Sequence, residues 1–183
     1  MSGASYWAAD IANELSQGDL VSDAWVGASA NPRAGLISAP TGKGGLKFWQ
    51  EAAWKADEQG FGHFLSRGRA THALILSQSC EIDKKGGKAP VLYAPVLGLQ
   101  ASVKDEAARE VIRAGNRYAF FYLPAIDGII EESYVDLRAI TYAPRAVIDV
   151  SFRRASASEE GAGALAAHLV AFFTRVDVAQ IKV

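Results

Sequence analysis

Apolar positions along the chain fall mostly into short runs and alternations of strand length, parted by turn-forming residues, and only a few stretches carry helical spacing. The clearest of these is 158–175, where Leu165, Leu169, Phe172 and Phe173 lie along one face. Ser158 and Glu159-Glu160 at its start and Arg175 at its end suit capping and the helix dipole, so a C-terminal amphipathic helix is predicted. Trp7, Ala8, Ile11, Ala12 and Leu15 predict a short helix over 6–15, broken at Gly18, and 104–114 reads as a short charged helix.

Strands are predicted at 19–26, where Asp19 and Asp23 interleave with apolar neighbours, at 61–66, and at 71–78. The last holds the unbroken run Ala73-Leu74-Ile75-Leu76 of a buried strand, and Arg67-Gly68-Arg69 before it reads as a turn. A polar turn at 83–88 leads to 91–97, its hairpin partner, with Pro95 placing the later part at an edge or bulge. Further strands are expected at 118–123, 133–141 and 146–152. The Gly- and Pro-bearing stretch 27–45 reads as a long surface loop, and 46–59 as an amphipathic helix inserted into the sheet. On that helix Trp49 and Trp54 diverge, leaving one available to a partner. Strands without regular helix alternation predict an α+β fold: one domain over 1–183, with an antiparallel sheet or small β-barrel at 17–152 and peripheral helices.

Half of the 183 residues are hydrophobic and 21% are charged, enough for a core and against wholesale disorder. A net charge of -1 excludes nucleic-acid binding through bulk positive charge, so any such site is local. Residues 43–88 hold eight Lys/Arg against five Asp/Glu, a modest surplus. One cysteine, Cys80, forms no internal disulfide, and with three histidines it supplies too few ligands for structural zinc. No cofactor is expected, and the expected compartment is the reducing cytoplasm. No run nears the ~20 apolar residues of a membrane span, and no signal peptide is seen, so no membrane partner is expected.

The sharpest candidate for chemistry is Leu76-Ser77-Gln78-Ser79-Cys80-Glu81-Ile82-Asp83, an apolar strand that ends in polar and reactive side chains. On a continuing strand Ser77, Ser79 and Glu81 share one side, and Gln78 and Cys80 the other. Two readings stand: a site held at a strand end, or polar caps on the sheet with Cys80 as a small apolar residue. A nucleophilic Cys80 needs a histidine or positive field. His72 lies roughly 26 Å back along an extended strand, so His63 or His168 would have to arrive through folding. Glu81 and Asp83 with Asp19 or Asp136 are more simply solvated carboxylates than a cation site, and no metal ligand is assigned. Pro40-Thr41-Gly42-Lys43-Gly44-Gly45 lacks the hydroxyl residue after lysine that a phosphate loop requires.

Gly18-Asp19, the strand Ala73-Leu74-Ile75-Leu76-Ser77 and then Tyr93-Ala94-Pro95-Val96, taken in order, resemble the PemK/MazF-like small-barrel proteins over about residues 17–100. Tyr122-Leu123-Pro124 and the stretch 132–138 resemble uncharacterised bacterial proteins that carry a Ser-Gln-x-Cys-Asp motif, with Glu81 where those have Asp. The resemblance implies an SH3-like barrel in a toxin–antitoxin or phage-defence setting, a metal-independent endoribonuclease with RNA as its partner, and is compatible with a homodimer. Ser77 matches the family's catalytic Ser or Thr. Gln17 stands where the toxins carry Arg, which leaves Arg67, Arg69 or Arg33 to stabilise the scissile phosphate. Asp19, Gln78, Ser79, Cys80 and Glu81 would then shape the binding pocket. The competing class is a non-enzymatic binding or adaptor module that meets a protein partner or small ligand through residues 77–83. A cysteine hydrolase using Cys80 is the third.

Overall fold

The consecutive apolar residues at 73–76 divide their side chains between two separate cores: Leu74 and Leu76 enter one, Ala73 and Ile75 the other. That division, seen in a computed structural model of the chain, explains the run, since a strand covered on both faces has no solvent side to make polar. The structure describes residues 6–11, 14–27, 35–37, 48–49, 64–65, 68–82, 90–145, 148 and 150–175. They belong to two compact units, residues 27–69 and residues 1–26 with 70–183.

The strands are β1 (Leu20–Gly27), β2 (Gly35–Ile37), β3 (Phe48–Trp49), β4 (Phe64–Leu65), β5 (Gly68–Ile75), β6 (Pro90–Gly98), β7 (Phe120–Leu123), β8 (Ser133–Asp136), β9 (Thr141–Pro144) and β10 (Arg153–Ala155). The helices are α1 (Ser79–Ile82), α2 (Leu99–Ser102), α3 (Glu106–Arg113) and α4 (Glu159–Thr174). In the smaller unit β2 pairs antiparallel with β3 and β4. In the larger, seven strands run β10-β1-β5-β6-β8-β7, with β9 also paired to β6. Each pair of described register there is antiparallel. The class is α+β, as expected. The strand order ends at β10 and β7 rather than closing into a barrel.

β6 repeats the two-sided burial, with Val91 and Tyr93 in one core and Ala94 and Val96 in the other. It is central rather than an edge: β5 lies along one side, while β9 and then β8 share the other. Pro95 falls between the β9 register (residues 90–93) and the β8 register (residues 96–98), so its missing N–H leaves no ladder bond unmade on that side. One core is covered by Tyr6 and by Leu165 of α4, the other by Leu15 and Ile82.

Several expectations need correction. The helix over 6–15 is not formed: Trp7 bridges Ala157, and Ala8 N–H donates to the Ser156 carbonyl at 2.8 Å. Tyr6 and Leu15 enter cores on opposite sides of the sheet, which one helix face could not reach. Gly68 and Arg69 begin β5 instead of forming a turn; Arg67 lies outside the described residues. The strand expected at 133–141 breaks at a 3-10 turn, Leu137–Ala139, and 146–152 gives way to another, Val150–Phe152, before β10. The expected loop 27–45 starts on the last residue of β1 and holds β2, and within the expected helix 46–59 Phe48–Trp49 is strand; the rest of both lies outside the described residues, as does the turn at 83–88.

The terminal helix matches its reading closely. Ser158 Oγ accepts from the Gly161 N–H at 3.0 Å, capping α4, and Arg175 closes it in the left-handed conformation. Gly161 is required there, because a Cβ would sit 2.3 Å from the Tyr6 carbonyl oxygen. Among the described residues, no helix is long and apolar enough to cross a membrane.

Candidate functional site at the end of β5

The β5–β6 ladder ends in a substitution of side chain for main chain. Leu76 N–H donates to the Leu92 carbonyl at 2.8 Å, and Leu92 N–H in turn donates to Ser77 Oγ at 2.8 Å. Ser77 thus supplies an acceptor where the strand leaves the sheet. Glu81 N–H then donates to the Gln78 carbonyl at 2.9 Å, closing the single helical turn α1. Ile82, 1% exposed, plugs that turn into the core with Leu15, Ile75 and Val91. Burying an isoleucine contributes about 1.5–3 kcal/mol, which anchors the turn and leaves Gln78, Ser79, Cys80 and Glu81 exposed. The strand's period of two therefore stops at Leu76, and the two-sided split expected for residues 77–81 does not form.

Gln17 stabilises this corner from the segment just before β1. Its Nε2 donates to the Leu76 carbonyl at 2.8 Å, and its main-chain N–H donates to Ser79 Oγ at 3.2 Å. Gly18 beside it has φ +85, and a Cβ there would meet the Ala157 Cβ at 2.5 Å. Asp19 is fully buried, with Oδ2 accepting from the Ser16 N–H at 2.7 Å and from Arg153 Nη1 at 3.2 Å. The Gly18-Asp19 pair thus forms a buried turn and ion pair, and Asp19 is not on the exposed surface with Gln78, Ser79, Cys80 and Glu81.

The structure brings Ser77, Gln78, Ser79, Cys80 and Glu81 together. Arg69 stands near the start of β5, whereas Ser77 follows its end; the Arg69 side chain, like Arg67 and His63, lies outside the described residues. Cys80 Sγ lies 3.9 Å from Gln78 Oε1 as its donor. His168, the other candidate partner, is occupied elsewhere: its Nε2 is 3.1 Å from the Tyr118 carbonyl and its ring meets Phe121 edge-on. Among the described residues, no group of three or more His, Cys, Asp or Glu could hold a metal ion.

Sequence reasoning missed two features. Leu92 and Tyr142, register partners on β6 and β9, share one sheet face and are 42% and 67% exposed. Leu92 adjoins the corner, since its amide is the one held by Ser77, and Tyr142 is its register partner. No local pattern marked either residue: the run 91–97 has no polar alternation that would set Leu92 outside, and Tyr142 gave no sign of its exposure. The second is an ion network on α3, where Arg113 meets Glu132 and Glu106 at 2.9 Å and also pairs with Glu110. Tyr122 donates to Glu132 at 2.6 Å. Arg113 and Tyr122 hold the Glu132 carboxyl below its ordinary range, while burial, then Glu132, pushes the Tyr122 hydroxyl up to about 12. Near neutral pH Glu132 is therefore ionised and Tyr122 neutral, and with Arg113 they join α3 to β7 and the start of β8. The signal was the spacing Glu106, Arg109, Glu110, Arg113.

No family model, curated protein or solved structure matches this chain.

Proposed function

We propose that this protein is a binding module that engages a protein partner through the exposed turn at residues 78–81 and the neighbouring Leu92–Tyr142 pair. The observation that carries this reading is the contrast at the corner between an anchored backbone and solvent-exposed side chains. Ile82, Gln17 and Ser77 fix the backbone, while four consecutive side chains, Gln78, Ser79, Cys80 and Glu81, stand exposed. Polar tips beside an exposed apolar pair are the components of an interface rim and core. The polar groups that an enzyme would draw on have other work: Ser77 accepts the Leu92 amide, and Gln17 holds the Leu76 carbonyl where the toxins carry arginine.

A second reading keeps the endoribonuclease of the PemK/MazF-like resemblance. It is favoured by one fact: Ser77 Oγ, bonded as an acceptor, still has a proton to donate. In that reading Arg67 neutralises the scissile phosphate. Both are tested together by capture of partners from lysate and by incubation with labelled single-stranded RNA in the absence of metal. The binding module predicts intact RNA and a partner retained by the native chain but lost from the Glu81→Lys/Tyr142→Ala protein. Equal retention by that variant overturns the surface; RNA cut by the native chain and spared by Ser77→Ala makes the protein a nuclease.

A further inference from the structure

Helix α4 carries charge only at Glu159 and Glu160; its inner face, Leu165, Ala167, His168 and Ala171, is buried. Among these only His168 titrates, and it is 4% exposed. Because a carbonyl only accepts, the His168 Nε2 facing the Tyr118 oxygen at 3.1 Å carries the proton, and Nδ1 is the nitrogen left to gain one. The Phe121 ring closes another side, with its centroid 5.2 Å away. We propose that His168 makes the docking of α4 on the sheet acid-sensitive: protonation places a charge in the helix–sheet interface and loosens the helix while the sheet stays formed.

The surroundings offer that charge no carboxylate among the described residues that face it. Arg117 and Tyr118 turn main-chain oxygens toward the ring, which offset part of the cost. The Tyr6 hydroxyl stays neutral, since burial raises it far above its usual range. Asp19 on β1 is committed to Arg153, and Asp127 and Glu131 in the turn at 125–131 are exposed. Glu159 and Glu160 lie at the opposite end of α4, about 12 Å along its axis. Burial therefore dominates and holds the docked His168 below its ordinary value. Above pH ~6.5 the ring is neutral docked or undocked, and docking has its full strength. As pH falls through that value the undocked helix takes up a proton that the docked one resists, so docking weakens from there downward.

Amide hydrogen exchange at pH 7.5 and 5.5, corrected for intrinsic rates, tests this. The ratio of α4 exchange to β5 exchange should rise on acidification, approaching a limit of about tenfold for a ring that stays neutral while docked. His168→Gln, which keeps a donor for the Tyr118 carbonyl, should abolish the rise. Should that variant not fold, the His63→Gln/His72→Gln chain has His168 as its one histidine, and its ring proton signals should titrate with a midpoint below 6.5. An equal rise in β5 and α4, an unchanged rise in His168→Gln, or a midpoint at or above 6.5 overturns the proposal.

Discussion

Two glycines on one helix differ in what surrounds them, and that difference is measurable. A Cβ at Gly161 would press to 2.3 Å from the Tyr6 carbonyl, whereas nothing lies within 4 Å of a Cβ at Gly163. Gly161→Ala should lower stability by about 1–3 kcal/mol through overpacking, and Gly163→Ala should raise it by up to about 1 kcal/mol through helix propensity. Urea denaturation of the two proteins checks this, and equal effects would mean that α4 does not seat on residue 6 as described. The sequence made the helix readable from its caps and apolar stripe but not this asymmetry, because the Tyr6 carbonyl arrives from 155 residues away. Ser77 was legible as the polar end of an apolar strand. Its partner, the Leu92 amide, depended on a hairpin register that no local pattern fixes.

Elements are joined beside this corner by a buried charge pair. Asp19, just before β1, and Arg153, at the start of β10, are 0% and 6% exposed and meet at 3.2 Å. Arg153 also donates to the Glu14 carbonyl, so the pair binds the segment before β1 to both strands. Asp19→Ala removes the carboxylate that the buried Arg153 side chain meets and should cost about 3–5 kcal/mol. The double variant Asp19→Leu/Arg153→Met should recover most of that loss, as measured by chemical denaturation; additive losses would show that the two side chains do not act as a pair. From sequence Asp19 read as a polar residue interleaved in a strand, and its burial was hidden because Arg153 lies 134 positions on. The short helix expected over 6–15 failed for a related reason: spacing alone does not tell that Tyr6 and Leu15 go to opposite sides of a sheet.

For the molecule as a whole, a sheet covered on both faces holds one corner rigid and leaves its polar tips outside. The α+β class, the central strand and the terminal helix follow from short strand-length apolar segments, an unbroken apolar run and a period of 3.6, patterns that burial enforces. The strand order could not be read so, since it rests on long-range pairings such as β1 with β10. Cys80 reports on the central claim most directly, because it lies within the exposed turn and is the chain's one cysteine. A bulky maleimide applied to the native protein should modify it completely without unfolding, and the labelled chain should no longer hold the partner that the unlabelled chain retains. A thiol that stays unreacted until denaturant is added, or a labelled chain that retains the same partner, would contradict the account.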